Sequence, residues 1–379
     1  MQSAQHLNGT SATLTLSIEL ASASWKIAAT DGKRLNPTNL RLDAESRWTR
    51  LGDLVAGVRS LKDKWGLPAD ARVAVIFEAG QDGFWIARAL QAQGLEVFVV
   101  DAASIPVARQ ARRRKTDRLD ALKLLEVLRA WLRGERSEVH MVRIPSEDAE
   151  AQRLLARNRG LLQKEVSQHR DRTRKLLLLH GCADPLDDSF PERLMAGQVR
   201  RADGRPLPQE LWDCLLLEWE RLELVQRQLA AMEKTLLHQL PQLVQRNIAI
   251  LAQLKGVGWV GAMRLVLELF WRNFRNRRQV GACVGLVAQP YDSGESHTDQ
   301  GISKQGNRRV RALLIEMAWM WLRHQPGSQL AQWLARRTAG ANKRGKRVAI
   351  VAVARRLAIA LWRYLHDGVI PADAQLKPR

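Results

Sequence analysis

Short apolar runs with high β-propensity alternate with helical segments in the first third of the chain, and this alternation is the strongest constraint on its fold. Residues 73–77 (VAVIF) and 97–100 (VFVV) have the length and composition of strands that are buried on both faces. Residues 13–20 and 24–30 predict two further strands, and helical periodicity fills about 49–65. The pattern predicts an α/β domain.

The chain is strongly basic. It holds 60 Lys and Arg against 39 Asp and Glu, a net charge of +21, and residues 301–379 alone carry 16 basic and three acidic residues. A second basic cluster consists of Arg109, Arg112, Arg113, Arg114, Lys115 and Arg118. A solvated surface that binds nothing is the alternative for one such cluster. Two clusters together with the overall excess favour nucleic acid as the partner.

Several protein classes are excluded by the same composition. No apolar run approaches the roughly 18 to 20 residues of a membrane span, so no integral membrane protein is expected. The first residues lack the basic start and apolar core of a secretory signal. Cys182, Cys214 and Cys283 lie far apart, which is typical of a reducing compartment. We therefore expect a globular protein of the cytoplasm.

The middle of the chain predicts a helical arm. Two charged helical patterns flank a break at about 181–206 that is rich in Gly, Pro and Asp, as in a helical hairpin or coiled coil. Such an arm could dimerise or act as a spacer. The predicted domains are, in chain order, an α/β domain at 13–144, a helical coiled-coil arm at 145–246 and a mainly α-helical domain at 247–370.

Four acids of the α/β domain occupy suggestive positions. Glu19 lies near the end of the first strand, Glu78 follows a buried strand, and Asp117 and Asp120 lie three residues apart at a helix start, on one helix face. Carboxylates gathered at one sheet edge repel each other and need a counter-cation, most naturally Mg²⁺. Each acid alone could be structural, for example as a helix N-terminal charge or a surface ion pair. Their joint pattern predicts a metal site.

A polar loop is predicted at 290–307, directly before a basic helix. Its Ser293 precedes Gly294, a setting that can expose a hydroxyl for attack on a phosphodiester. The alternative is a plain turn in which Ser and Asp cap backbone groups. His297 is the nearby candidate base.

These motifs together resemble a known family. The matching segments are SIEL at 17–20, FEAG at 77–80, KTDRLDA at 115–121, KGVG at 255–258, VGLV at 284–287, DSG at 292–294 and GISKQGNR at 301–308. In this order they resemble the DEDD transposases of the insertion-sequence 110 family, a group that includes the Piv DNA invertase. The resemblance covers about residues 14–370.

The resemblance implies a RuvC-like, that is RNase H-like, N-terminal domain whose four acids bind Mg²⁺, with two ions per site. Carried over by position, these acids are Glu19, Glu78, Asp117 and Asp120. One departure is that the family usually has Asp where this chain has Glu19. Glutamate keeps the charge and the oxygen ligands but reaches one methylene further. We interpret it as a working variant because the other three acids and the serine loop match the family.

The resemblance also implies a C-terminal transposase domain with a nucleophilic serine that forms a covalent phosphoserine link to DNA. Ser293 is the best match and Ser296 the second choice. The resemblance further implies a homo-oligomer, either dimer or tetramer, in which two subunits could supply the two halves of one active site. It also implies a structured noncoding bridge RNA that pairs with donor and target DNA, and a bacterial protein associated with the nucleoid. The expected phosphate contacts are Arg112, Arg113, Arg114, Lys115, Lys304, Arg308, Arg309 and Arg311.

The sequence thus predicts a Mg²⁺-dependent DNA transposase or recombinase. One alternative is a RuvC-like nuclease or junction resolvase in which water attacks and no covalent link forms. The other is a noncatalytic nucleic-acid-binding descendant of a transposase, with Glu19 marking a decayed site.

Overall fold

The computed structural model describes residues 13–34, 36–43, 45–80, 82, 84–105, 117–135, 139–293 and 296–378. Side chains within these ranges are described except at 103, 117, 118, 290–293 and 296–299. The chain divides into two compact units, Met1–Ser146 and Glu147–Arg379. In this described part, no helix combines the length and apolar character needed to cross a membrane.

The N-terminal unit is a mixed sheet with helices. Its elements are, in chain order, β1 (Leu14–Leu20), β2 (Trp25–Thr30), β3 (Thr38–Leu42), α1 (Arg47–Trp65), β4 (Val73–Glu78), α2 (Trp85–Ala92), β5 (Glu96–Val100), α3 (Asp117–Leu132) and β6 (Met141–Val142). The sheet order is β3-β2-β1-β4-β5-β6. Strands β1, β4 and β5 run parallel, whereas β2, β3 and β6 are antiparallel to their neighbours.

Helices cover both faces of this sheet because its central strands alternate between two apolar sides. On β1, the buried Leu16 and Ile18 pack with α1 and α2. The intervening Ser17 points to α3, where its Oγ donates to the carbonyl of Ala121 at 2.5 Å. On β4, Ile76 likewise packs against α3. The odd-numbered residues of β1 and the even-numbered residues of β4 therefore face α3.

The C-terminal unit is mainly helical. Its elements are, in chain order, α4 (Glu147–Leu179), α5 (Phe190–Met195), α6 (Gln209–Leu236), α7 (Gln242–Ala252), α8 (Trp259–Leu265), a π-helical turn (Val266–Phe270), α9 (Arg277–Cys283), β7 (Ala288–Ser293), β8 (Ser296–Ile302), α10 (Arg308–His324), α11 (Gln329–Thr338) and α12 (Lys343–Asp367). The helices from α7 onward share one large core, and α4 to α6 have another.

Helices α4 and α6 form an antiparallel pair. Arg159 binds Glu233 at 2.6 Å, whereas His169, further along α4, lies 2.8 Å from Glu218, an earlier residue of α6. The short α5 covers the far part of the pair, where the buried Phe190 contacts the ring of Trp219.

A turn that contains Gly256 and Gly258 connects α7 to α8. Gly256 has φ +79°, and a Cβ there would lie 3.1 Å from the carbonyl oxygen of Met320. Two N–H groups of this turn already donate internally: that of Lys255 to Gln375 and that of Val257 to Leu254. The bond to Gln375 thus fixes this turn to the C-terminal segment.

Candidate active site

Two of the predicted acids lie side by side at one edge of the sheet. In the parallel ladder of β1 and β4, Ile18 is opposite Phe77, so Glu19 and Glu78 occupy the next register position. Both residues belong to the set that faces α3. The adjacency arises because parallel strands end at the same edge of the sheet. Glu78 is the last residue of β4, and Glu19 is the last but one of β1.

Both carboxylates line a small cavity of about 180 Å³. Its wall also contains Arg47, at the start of α1, and Asp82, in the segment after β4, which form an ion pair. The sequence reasoning missed these two residues. Asp82 could have been found from the sequence, because it lies four residues beyond Glu78, after the carboxyl end of a buried strand. No sequence pattern pointed to Arg47.

The other two predicted acids lie in the first turn of α3. The bond from Ser17 to the carbonyl of Ala121 fixes this turn to β1, two residues before Glu19. Asp120 directly precedes Ala121 and is partly buried. Asp117 begins the helix, and its side chain lies outside the described set. The backbone therefore brings both positions to the face of the sheet that carries Glu19 and Glu78.

The donor set suits a hard cation. Glu19 and Glu78 supply carboxylate oxygens, the ligands that Mg²⁺ prefers. Lys26 lies opposite Glu19 in the β1–β2 register, so an ammonium group shares this face. Among described residues, no three His, Cys, Asp or Glu side chains form a group that could hold a metal ion. The described geometry thus places two of the four predicted carboxylates, Glu19 and Glu78, in one cavity, and the full four-acid set stays a prediction.

The prediction of a polar loop at 290–307 is wrong for the described residues up to 302, because residues 288–293 and 296–302 are the two strands of a β-hairpin. Strands β7 and β8 pair antiparallel, and Ser293 lies directly opposite Ser296 at the last described register position. The two alternative nucleophiles therefore flank the same hairpin tip. The side chains of Ser293, Ser296 and His297 lie outside the described set, so the choice of nucleophile stays a prediction.

Two glycines let the hairpin's root lie against the end of α9. Gly306 has φ +90°, and a Cβ there would lie 2.2 Å from the carbonyl oxygen of Cys283. Gly285 has φ +65°, and its Cβ would lie 1.9 Å from the carbonyl oxygen of Gln305. Only glycine permits both the left-handed backbone and the close approach. The hairpin root is thus fixed by backbone packing.

A buried carboxylate connects this root to α4. Glu268, in the π-helical turn, accepts two hydrogen bonds from Arg157, at 2.6 and 3.0 Å. It also accepts one from the amide of Asn307 at 3.1 Å. The carbonyl oxygen of the same amide accepts from the N–H groups of Arg309 and Val310, which begin α10. Glu268 therefore orients the residue that ends the hairpin segment and caps α10.

The charge of Glu268 is stabilised by its partners. Burial alone would raise the pKa of this carboxyl, but the hydrogen bonds and charge of Arg157 and the amide of Asn307 outweigh burial and lower its pKa below the ordinary 4.5. The same contact raises the pKa of Arg157. Sequence reasoning missed Glu268 because it lies within an apolar segment, VLELF, and 111 residues from Arg157.

The predicted phosphate contacts differ in their surroundings. Lys304, Arg308 and Arg309 are exposed around the hairpin root. Arg311 is partly buried and donates to the carbonyl of Val284 at 3.0 Å. The pKa of Arg311 is lowered, mainly by burial and to a smaller extent by the charge of Arg308. The remaining predicted contacts, Arg112, Arg113, Arg114 and Lys115, lie outside the described residues.

We expect Glu268→Gln to destabilise the C-terminal unit by about 2 to 3 kcal/mol. This is less than the 3–5 kcal/mol for breaking a fully buried pair, because the side chain of Arg157 is 37% exposed. Urea unfolding followed by tryptophan fluorescence measures the change. Asp171→Asn is the control, since Asp171 pairs with Arg174 at the surface of the same unit, and about 1 kcal/mol or less is expected there.

Glu268 should also make the stability of the C-terminal unit depend on pH. Because the pKa of Glu268 is lowered on folding, its contribution is fully present above pH 4.5 and is lost as the pH falls through the lowered value. The difference in unfolding free energy between wild type and Glu268→Gln should therefore shrink below pH 4.5. A difference that stays constant down to pH 3 would contradict this account.

Comparison with known proteins places these features in context. The sequence model described as Transposase IS116/IS110/IS902 family matches residues 248–332, which include the serine hairpin. A second transposase model, that of the DEDD transposases of IS110, matches residues 43–181, which include Glu78, Asp117 and Asp120. The DEDD model implies an RNase H-like fold, with which the mixed N-terminal sheet is consistent.

Individual relatives extend over more of the chain. A Sinorhizobium fredii protein with the name putative transposase y4rJ is 38% identical to this chain. The alignment is 382 positions long and covers 96% of this chain and 94% of that protein. The transposase for insertion sequence element IS1328 of Yersinia enterocolitica is 27% identical over 68% of this chain and 73% of its own length. The transposase for insertion sequence element IS1533 of Leptospira borgpetersenii is 23% identical over 81% of this chain and 83% of its own length.

Proposed function

Because the chain belongs to the IS110 family of transposases, we propose that it cuts and rejoins DNA in a Mg²⁺-dependent reaction through a covalent link to serine. The proposal of Mg²⁺ dependence rests on the adjacency of Glu19 and Glu78 in one cavity. The fixation of α3 to the same face by Ser17 supports the inclusion of Asp117 and Asp120.

In this proposal Glu19, Glu78, Asp117 and Asp120 hold the metal. When bound, Mg²⁺ supplies Lewis-acid stabilisation of negative charge on the phosphate oxygens, and two ions per site would serve both the attacking and the leaving oxygen. The contribution of the chain is to hold the carboxylates at fixed strand and helix ends. Ser17 is a positioning residue, since its hydroxyl sets the distance between β1 and α3.

The nucleophile in this proposal is Ser293. Its Oγ forms a bond to a DNA phosphorus while the bond from that phosphorus to a DNA oxygen breaks. The serine proton passes to a base, and the departing DNA oxygen takes up a proton. The reverse attack by a DNA hydroxyl releases the serine and makes the new phosphodiester. Because the covalent link conserves the phosphodiester energy, no nucleotide cofactor is required.

Basic residues would hold the DNA around this chemistry. Lys304, Arg308 and Arg309 are exposed at the hairpin root, where phosphates next to the reacting one would lie. Arg112, Arg113, Arg114 and Lys115 are proposed to contact phosphates next to the acids. For Arg311, its bond to Val284 favours a supporting role at the root.

We further propose that α4 and α6 form a coiled coil. Positions of α6 that are apolar or buried recur with alternating spacings of four and three, as in a heptad seam. They are Leu211, Leu215, Glu218, Leu222, Val225 and Leu229. The polar pair of His169 and Glu218 in this seam would fix the register. The family resemblance supports a homo-oligomer and a guide RNA as partners, and the net charge of +21 suits both nucleic acids.

The proposed function is tested with purified chain, Mg²⁺, RNA transcribed from the noncoding DNA beside the gene, and a plasmid carrying the element ends and a target site. We expect recombined DNA and a protein–DNA adduct that survives denaturation, and EDTA should prevent both. Cutting without an adduct would favour the nuclease alternative. Nucleic-acid binding without any cutting would favour the noncatalytic alternative.

A further inference from the structure

A second basic site lies in the C-terminal unit. Helices α9, α11 and α12 and residues 369–372 enclose a groove of about 900 Å³. Six arginines line it: Arg277, Arg278, Arg336, Arg355, Arg356 and Arg363. None of these residues belongs to the serine hairpin or to the acids described above.

The positive charge of this groove is largely uncompensated. Its described lining contains no Asp or Glu. Arg363 lies 3.7 Å from Asp367, and the guanidinium of Arg356 stacks over the ring of Trp333 at 4.1 Å. The other four guanidiniums have no carboxylate partner in the described part of the chain. Like charges confined in this way repel each other, so the groove favours an anionic occupant.

The rest of the groove is apolar and aromatic. Its lining includes Trp321, Leu330, Trp333, Ile359 and Pro371. A simple inorganic anion would leave this surface unused. An occupant that carries both phosphates and flat apolar faces satisfies both halves of the groove, and unstacked nucleotides have these properties. A duplex keeps its base faces inside its own stack and cannot offer them to Trp333.

We propose that this groove binds single-stranded DNA, with phosphates held by Arg277, Arg278 and Arg336 and a base packed beside Trp333 and Arg356. The choice of DNA rests on the proposed function, because cutting and strand exchange release unpaired DNA. The choice of a single strand rests on the groove itself. The helices fix the backbone positions of the arginines before the strand arrives, so binding has to order their side chains but not their backbone.

The test measures binding of a fluorescein-labelled (dT)12 to the full chain by fluorescence anisotropy. In the groove variant Arg277→Ala/Arg278→Ala/Arg336→Ala, all three substituted side chains are exposed, so folding should persist. We expect binding to weaken at least 10-fold. The slope of log K against log salt should fall by about 2, since each lost phosphate contact on a single strand removes about 0.7.

The matched control removes the same charge elsewhere in the unit. Arg227, Arg246 and Arg323 are exposed on α6, α7 and α10, outside the groove. Their triple alanine variant should weaken (dT)12 binding less than 3-fold. Equal weakening in both triple variants would mean general electrostatic attraction and would overturn the proposal.

The proposed contact between a base and Trp333 is tested separately. Trp333→Ala should weaken (dT)12 binding about 5- to 10-fold, whereas Trp333→Phe should stay within 2-fold of wild type, with circular dichroism and thermal unfolding as folding checks. An unchanged affinity in a folded Trp333→Ala protein would overturn the base contact.

Two further probes decide the ligand. A 20-base-pair duplex should bind the groove variant and wild type within 3-fold of each other, and a larger loss would overturn the single-strand assignment. Tighter groove-dependent binding of (rU)12 than of (dT)12 would overturn the choice of DNA. None of these measurements needs cleavage. A wild type that binds (dT)12 through the groove but cuts no DNA would refute the proposed function alone.

Discussion

Ser293→Ala is expected to eliminate the covalent protein–DNA adduct and to reduce recombination on the order of 10⁴-fold or more. The reason is that no other group replaces the attacking oxygen, while DNA binding by the remaining residues persists. Denaturing gel electrophoresis of labelled DNA detects the adduct, and a filter-binding assay verifies that the variant still binds. The change is small and lies at a hairpin tip, so folding should be unaffected.

Ser296→Ala is the matched control, because Ser296 lies directly opposite Ser293 in the same hairpin. We expect its adduct yield to stay within about 3-fold of wild type. The reverse result, an inactive Ser296→Ala and an active Ser293→Ala, would assign the nucleophile to Ser296. If both single variants cut DNA normally without an adduct, water is the nucleophile and the resolvase alternative holds.

Glu78→Gln is expected to remove Mg²⁺-dependent cutting, with a loss on the order of 10³-fold. Glutamine keeps the size of the side chain but removes the charge and one anionic oxygen, while Glu19 in the same cavity stays charged. Isothermal titration calorimetry should show weaker Mg²⁺ binding, and the cleavage assay measures the loss. Glu96→Gln is the control, since Glu96 begins β5 at the opposite sheet edge and pairs with Arg72.

Glu19 allows a sharper test of the same site. Glu19→Gln should be as inactive as Glu78→Gln, whereas Glu19→Asp restores the residue usual in the family and should retain activity within about 10-fold. The charge and oxygen ligands are the same in Glu and Asp, and only the reach differs. Full activity of Glu19→Gln would mean that this position does not hold the metal. Weak activity of wild type that Glu19→Asp raises strongly would indicate a decayed site.

Much of the N-terminal unit could be predicted from the sequence. Buried strands such as VAVIF are continuous apolar runs, and the acid that ends each run marks the sheet edge. The structure confirms strands at 13–20, 24–30, 73–77 and 97–100. Strand β3 was missed because it is partly exposed and contains both polar and apolar residues. Strand β6 was missed because it is only two residues long.

The hairpin was missed for a different reason. Its sequence is rich in Gly, Ser and Asp, which local propensity assigns to loops. The pairing is stabilised by contacts at its root, where Gly285 and Gly306 approach backbone atoms of neighbouring segments. Such contacts join residues about 20 apart and leave no periodic signal. The division into three domains and the choice of Ser293 stay predictions.

The sequence by itself determined the α/β character of the N-terminal unit and the basic character of the chain, because apolar periodicity and charge are properties of neighbouring residues. Only the tertiary structure placed Glu19 beside Glu78, joined Glu268 to Arg157 and Asn307, and gathered arginines of three helices around Trp333. The physical reason is that these contacts depend on strand register and helix packing. Both are decided by the burial of distant apolar residues, on which the charged residues themselves have little influence.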